Sequence, residues 1–542
     1  MRPKQAATDR GAAALSLFAL GAWLILLRAA APAGSDVPIG DDWQYAGSVH
    51  GLLSTGRLRL SEFSAPAGIT HILWGALFCL PAGFSLTALR LATLAAAALA
   101  LAAFERLLAE LEHPPTERIL GAALLAFNPL FFILSLSFYT DVLFLALFLL
   151  SCLAVLKGLA GSRGWLWAAA MFSTLAALTR QIGLAPALVG ALLLLRMRSA
   201  RRAGILLLPP LAALALYALW FTRAHGVTYA AWYHARESLV RLRDPLRLAA
   251  DTISRVAATA VYLGWLVFPL GVCMTLSLRA GPRPTRTHLL LAAAATGLWL
   301  AAYTAHVAPP WLGDQLGPHG LGVIAVPGAA FKIAGWWNAR PLWLAGGALS
   351  LATLSAFAAV GIDGVKSGTI IFTAASLLAF APALLSYSFY DRYLLILVPG
   401  AIAVGLGRAR GRLRAAWVGA SLLGLLSVIG ARDDLSWNAA LWRAGAAAKD
   451  LGYSADEIRG GLSWDGAHIG DHNLALLRAT RPLESIRPFD WLALQKPRAL
   501  LSFSPAAPPG TRRLREVRYT TPLTSDGGAV YIYGLAPRRA AP

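Results

Sequence analysis

The sequence predicts an all-α polytopic membrane protein with about 13 transmembrane helices and a small C-terminal periplasmic α/β domain. Composition is the first reason: 57% of the 542 residues are apolar and only 14% charged, against about 25% charged in a soluble chain. Mean hydropathy is +0.59. The second reason is that the apolar residues fall in runs close to the ~20 residues that cross a bilayer. The third is the tail, 432–542, which is polar and rich in turn residues. These features exclude a soluble enzyme built of several small domains.

Apolar runs lie near 11–31, 85–109, 119–137, 140–157, 165–180, 182–195, 204–222, 256–278, 288–307, 342–360, 368–386, 393–407 and 415–431. The first follows Arg2, Lys4 and Arg10 and reads as a signal anchor retained as a helix. A shorter run, 69–82, is decided by charge. If it does not cross, the basic clusters of the short loops all fall on the cytoplasmic side, as the positive-inside rule requires. Those clusters are Lys157 with Arg163; Arg196, Arg198, Arg201 and Arg202; Arg279, Arg283 and Arg286; Lys366; and Arg408, Arg410, Arg412 and Arg414. The run 69–82 is therefore expected to be a short helix lying in or dipping into the outer face.

With that orientation the N-terminus is cytoplasmic. The first loop (32–84), the loops 138–141, 223–255 and 308–341, and the tail all lie on the outer side. The loop 223–255 is Arg-rich and amphipathic and is expected on the membrane surface. The tail, about 110 residues, is long enough for a small α/β domain. The division is thus 1–431, transmembrane, and 432–542, soluble. The net charge of +21 reads as loop orientation signal, so nucleic acid is not an expected partner. Cys79, Cys152 and Cys273 each sit alone in an apolar segment, which supports neither a disulfide framework nor a Cys-type zinc site.

The outer face collects the acids. Asp41 and Asp42 in GDDWQYA lie a few residues beyond the first run. Adjacent carboxylates at a membrane boundary repel each other and resist desolvation. They read either as a general base or metal ligand aimed into a cavity, or as a solvated pair capping the helix that follows. Asp141, in SFYTD, opens a membrane helix and is either a cap or a second acid facing Asp41. Arg180 and Gln181, in LTRQIG, interrupt a long apolar stretch, marking a tight turn or an anion site. Arg392 and Tyr393, in SYSFYDRYLLILVP, start another apolar run. An Arg fork suits a phosphate, although Asp391 stands ready to neutralise it and the tyrosines suit an interface anchor. The loop 308–341 adds Trp311, Asp314, His319, Lys332, Trp336 and Trp337, and the tail segment WDGAHIGDH holds Asp465, His468, Asp471 and His472. The last group lacks an HExxH pattern and is a weak metal candidate. No Walker A, dinucleotide GxGxxG or GxSxG motif is present.

The acidic pair in GDDWQYA, the second acid in SFYTD and the layout of spans with a soluble outer tail resemble GT-C glycosyltransferases. The likeness is to the family 39-like bacterial branch related to protein O-mannosyltransferases and lipid A aminoarabinose transferases. It covers roughly 1–430, and the tail phrase EIRGGLSWDG is similar to one in bacterial members. The resemblance implies a hexosyl- or pentosyltransferase of the EC 2.4 type that takes a sugar from a polyprenyl-phosphate carrier at the outer face. Asp41 would then be the catalytic aspartate, with Asp42 its neighbour and Asp141 the second-loop acid. Arg180, Gln181, Arg392 and Tyr393 would bind the donor phosphate. A divalent cation (Mg2+ or Mn2+) held by Asp41 and Asp141 is open. SAPAGITH (64–71) lacks the His-Pro-Pro of many relatives, which leaves the acceptor open among glycolipid, polysaccharide and protein. Competing readings are a secondary transporter or lipid flippase, against which the acids sit at the edge rather than the midplane, and an O-antigen ligase or polymerase.

Overall fold

A computed structural model describes residues 36–278, 312–332, 340–360, 365–409, 413–521 and 528–535. It also describes Gly21, Trp23, Leu24, Ile25, Leu27, Arg28, Leu290, Ala293 and Leu523. Most of the run 11–31, the run 288–307, Arg2, Lys4, Arg10, Arg279, Arg283, Arg286, Trp311, Trp336, Trp337, Arg410 and Arg412 lie outside the described residues.

The chain is a multi-pass membrane protein. Among the described residues five helices are long and apolar enough to cross a bilayer, or six if one bent pair counts as a span. The five are Leu86–Glu110, Thr140–Leu159, Ala200–His225, Ser367–Leu385 and Leu413–Asp450. Thr140–Leu159 is the central one, with 78% of its apolar window buried; Ala200–His225 is peripheral, with 17%. Leu208, Leu216 and Leu219 stand exposed on that outer helix, as expected of a surface that meets lipid rather than water.

Several apolar runs take forms other than a single straight span. The run 119–137 is broken into Pro115–Ala126 and Pro129–Leu134. At the break the Asn128 side chain accepts from Leu130 N–H and Pro129 opens the next helix, a normal capped start. The run 256–278 is a pair, Pro245–Leu266 and Phe268–Leu278, bent by 75° between them. The run 393–407 opens as a 3-10 turn, Asp391–Ile396, before the short helix Val398–Leu406. The run 69–82 forms a helix of only 11 residues, Ile69–Cys79, too short at 1.5 Å per residue to cross about 30 Å of hydrocarbon. The loop 223–255 is helical, as Tyr229–Leu242 and the start of Pro245–Leu266.

The last span does not stop near 431: Leu413–Asp450 is one helix of 38 residues that runs from the apolar run into the tail. Beyond it the tail folds as a four-stranded sheet of order β3-β4-β6-β5, formed by Ile458–Arg459 (β3), Ala499–Ser502 (β4), Thr511–Tyr519 (β5) and Gly528–Leu535 (β6). β3 pairs parallel with β4 and the other pairs are antiparallel. A two-stranded turn in the loop 312–332, Leu316–Gly317 (β1) with Gly320–Leu321 (β2), lies against the long helix.

The sheet and the helix enclose a second core of Trp437, Leu441, Trp464, Leu501, Phe503, Val530 and Ile532. At its edge Lys332 forms an ion pair with Asp433, both side chains fully buried. Asp433 also accepts from Thr521 Oγ1 at 2.7 Å. Breaking such a pair leaves a buried charge without compensation and costs about 3–5 kcal/mol. Lys332→Met is therefore expected to lower stability by about that amount, read by urea titration in detergent. The double variant Lys332→Met/Asp433→Leu should recover most of the loss. A single variant as stable as wild type contradicts the pairing.

Candidate active site

Asp41 owes its position to a turn that only glycine fits. Gly40 has φ +57°, and a Cβ there would collide with the Tyr139 hydroxyl. That hydroxyl accepts from the Asp41 N–H at 2.6 Å. The helix Asp42–Thr55 begins at the next residue, so Asp41 and Asp42 point in different directions. The Asp42 carboxylate turns inward, accepting from Ile39 N–H at 2.8 Å and Phe138 N–H at 3.3 Å. It ties the first loop to the segment preceding Thr140–Leu159 and does not line the cavity described next.

Asp41 does line a cavity of about 360 Å³. Asp141, Arg180, Gln181, Arg392 and Tyr393 share its walls. Of the seven residues expected to be catalytic or to bind the donor phosphate, six thus line one cavity, and Asp42 does not.

Arg180 reaches the cavity because the helix Arg163–Thr179 breaks there, Arg180 itself taking an extended conformation (φ −144°, ψ 129°). The 3-10 turn Gln181–Leu184 folds back so closely that a Cβ on Gly183 would strike the backbone of Ala176. Arg180 donates from Nη2 to Asp141 Oδ2 at 2.7 Å and from Nε to Thr140 Oγ1 at 2.8 Å. Asp141 is therefore an ion-pair partner rather than a free second acid.

Arg392 is held differently. Asp391 does not neutralise it by contact: both its oxygens accept backbone N–H groups of Gln315 and Leu316. The partner is Asp314, 3.2 Å from Arg392 Nε. The guanidinium lies against the rings of Tyr139 and Tyr390, 5.1 and 5.0 Å from their centroids. Its Nε and Nη1 are buried without a well-formed hydrogen bond. A buried, incompletely satisfied guanidinium lining a cavity has donors left over that an anion can use.

The electrostatics follow from burial. Burial pushes the Asp41 carboxyl above the usual carboxylate range, with Arg392 pulling against it. Burial likewise raises Asp314, opposed by Arg392. A carboxyl lifted toward neutrality takes and releases protons more readily near working pH than an ordinary one.

Sequence reasoning passed over Gln44, Tyr45 and His234, which also line the cavity. Gln44 and Tyr45 were legible, since three and four residues after Asp41 is one helical turn. Nothing local marks His234. Among the described residues no three His, Cys, Asp or Glu side chains converge as metal ligands. Asp141 is committed to Arg180, and the tail group is dispersed: His468 Nδ1 pairs with Trp464 O, while Asp471 accepts from Ser61 Oγ and Glu62 N–H. These donors do not fit a resident cation, and no step is routed through one.

No family model matches the sequence, and no curated protein matches it. Among solved structures the chain is similar to ArnT from Cupriavidus metallidurans in the apo state, at 15% identity, 85% of this chain and 84% of that chain covered, TM-score 0.39. It is also similar to ArnT from the same organism bound to undecaprenyl phosphate, at 15% identity, 97% and 98% covered, TM-score 0.41. At these scores the likeness carries no chemistry across, and that has to come from the chain's own residues.

Asp42 supplies a pH-dependent check on this geometry. Burial first, opposed by Arg90 and the two amides, lifts its carboxyl from 3.8 to about 6. A carboxyl whose folded pKa is raised contributes stability that is fully present below its unfolded value and is lost as pH rises through the folded one. The stability of wild type relative to Asp42→Asn should therefore fall between about pH 4 and about pH 7, measured by thermal unfolding in detergent. A difference that does not change with pH would show that Asp42 is not buried in this way.

Proposed function

We propose that the chain is an integral-membrane glycosyltransferase that moves a sugar from a polyprenyl-phosphate donor to an acceptor at the periplasmic face of a bacterial inner membrane. The observation that carries this is the single cavity in which Asp41 faces Arg392, with the Arg180–Asp141 pair in the same walls. Another wall is apolar: Ala379, Phe380, Pro382 and Ala383 come from the membrane helix Ser367–Leu385. A ligand with an anionic head and a hydrocarbon tail fits that combination. Undecaprenyl phosphate, the ligand of one ArnT structure, belongs to this class, although the proposal stands on the cavity rather than on that likeness.

In this reading the Asp41 carboxylate accepts the proton of an acceptor hydroxyl or amine as its oxygen or nitrogen attacks the anomeric carbon. The bond from that carbon to the phosphate oxygen breaks, and the polyprenyl phosphate leaves as an anion. It needs positive charge rather than a proton, and Arg392, seconded by Arg180, supplies it. Gln181 and Tyr393, which line the same cavity, would donate to phosphate oxygens. Asp42 acts only by fixing the turn that presents Asp41, and Asp141 by orienting Arg180. Arg392 would exchange part of its contact with Asp314 for the phosphate, and the cavity's burial strengthens each such interaction.

The test offers purified protein in nanodiscs a panel of polyprenyl-phosphate hexoses, pentoses and aminosugars with membrane acceptors, and follows donor consumption by mass spectrometry. Wild type should consume at least one donor, and Asp41→Asn should turn over about 10²–10⁴-fold more slowly while folding normally. Near-normal turnover by Asp41→Asn, or no consumption by folded wild type, overturns the proposal.

A further inference from the structure

A second, much smaller space lies on the other side of Asp41. It measures about 10 Å³ and is lined by Gly40, Asp41, Val323, Val326, Trp437 and Ser463, among others. That volume corresponds to about one water molecule. Its walls are otherwise apolar, contributed by the loop 312–332, the long helix Leu413–Asp450 and the tail turn Gly461–Ser463. Yet two of its residues carry buried polar atoms with no hydrogen-bond partner among the described residues: Trp437 Nε1 and Ser463 Oγ. Trp437 is 1% exposed and Ser463 9%. Leaving such groups unpaired costs about 1–3 kcal/mol each. An indole N–H can only donate, while a hydroxyl donates and accepts. Asp41 lines the same wall, and its carboxylate, when ionised, can only accept.

We propose that this crevice is a built water site, in which one water accepts from Trp437 Nε1–H, pairs with Ser463 Oγ and donates to the Asp41 carboxylate. Ser463 and Trp437 are then positioning residues, acting on the reaction through the water. The crevice satisfies all three groups at once, within the 2–4 partners that a buried water needs. It braces Asp41 from behind, on the face turned away from the larger cavity, and stabilises its anionic form. It also gives the tail a part in the chemistry, since Ser463 lies in the GLSWDG segment. That segment is seated against the loop by the Leu462 N–H donated to Ala325 O at 3.1 Å.

The effect on rate rests on the transferase reading; the water site itself does not. Other groups also act on Asp41. Arg392 faces it as the counter-charge, with Asp314 behind. Asp42 adjoins it, and the phenols of Tyr45, Tyr139 and Tyr390 surround it. Arg180 and Asp141 share its cavity. The crevice lining itself adds no titratable side chain besides Asp41; behind it the Lys332–Asp433 pair lies against Trp437, Lys332 Nζ 5.7 Å from the ring, so the Ser463 variants leave all these groups in place and Trp437→Phe keeps a ring beside Lys332.

The experiment titrates the protonated-carboxyl infrared band assigned to Asp41 by its loss in Asp41→Asn. It compares wild type with Ser463→Ala, Trp437→Phe and Ser463→Thr, all as full-length protein in nanodiscs. Losing a donor to the water destabilises the carboxylate, so the midpoint should rise by about one pH unit in Ser463→Ala and Trp437→Phe, and Ser463→Thr should keep the wild-type value. The acidic limb of the transfer rate should move upward with the midpoint, because the base works only when deprotonated. Unchanged midpoints in both Ser463→Ala and Trp437→Phe overturn the proposal, as does an equal rise in Ser463→Thr. Should Trp437→Phe not fold, the two Ser463 variants decide alone. Shifted midpoints with full turnover by Asp41→Asn would leave the water site standing and remove the base assignment instead.

Discussion

One phenol holds the two halves of the cavity together. The Tyr139 hydroxyl accepts the Asp41 N–H, and its ring lies against the Arg392 guanidinium. Burying both a carboxylate and a guanidinium is expensive in the low-dielectric interior, and a site that does so must supply partners from fixed positions. Tyr139 occupies such a position because it immediately precedes the most buried membrane helix, Thr140–Leu159. Gly40 follows from it, since no side chain fits beneath that hydroxyl. The placing of the Asp41 carboxylate against the Arg392 guanidinium is thus tied to a span packed in the core.

The rest of the chain braces the same point from three directions. The segment 61–66, whose Phe63, Ala65 and Pro66 line the cavity, is pinned by the Ser61 and Glu62 contacts to Asp471, by Glu62 to Arg478, and by the Tyr229 N–H to Glu62 Oε2 at 2.8 Å. Trp43 packs against Gly466 and Gly470 of the tail, and Phe63 sits edge-on to Trp43 and Trp491. The loop 312–332 is tied to the Arg392 turn through Asp391 and Asp314, and to the long helix through Lys332. The tail therefore backs the segments that line the cavity without lining it itself. The unbroken helix Leu413–Asp450 is the physical reason, because it carries the tail directly out of the membrane core.

Much of this was legible in the sequence, and what was not has identifiable causes. Asp41, Asp141, Arg180 and Arg392 stand out because a charge at the edge of an apolar run must have a use or a partner. Which member of the Asp41–Asp42 pair faces the cavity is decided by the turn at Gly40 and by the amides of Ile39 and Phe138, contacts that spacing does not reveal. The partner of Arg392 is Asp314, far earlier in the chain, rather than the adjacent Asp391. The run 119–137 looks like one span by hydropathy, although Asn128–Pro129 is a cap-and-proline start within it. The unpaired Trp437 and Ser463 atoms behind Asp41 arise only from the packing of three distant segments.

In the proposed reaction Arg392 and Asp41 frame the phosphate and the anomeric carbon of a lipid-linked sugar. A cryo-EM structure of the protein in nanodiscs with an added polyprenyl phosphate tests this. Phosphate density is expected within about 3 Å of the Arg392 guanidinium, with the hydrocarbon leaving along Phe380 and Pro382 and Asp41 facing the open side. Lipid phosphate bound elsewhere, with Arg392 still fully engaged by Asp314, would contradict it.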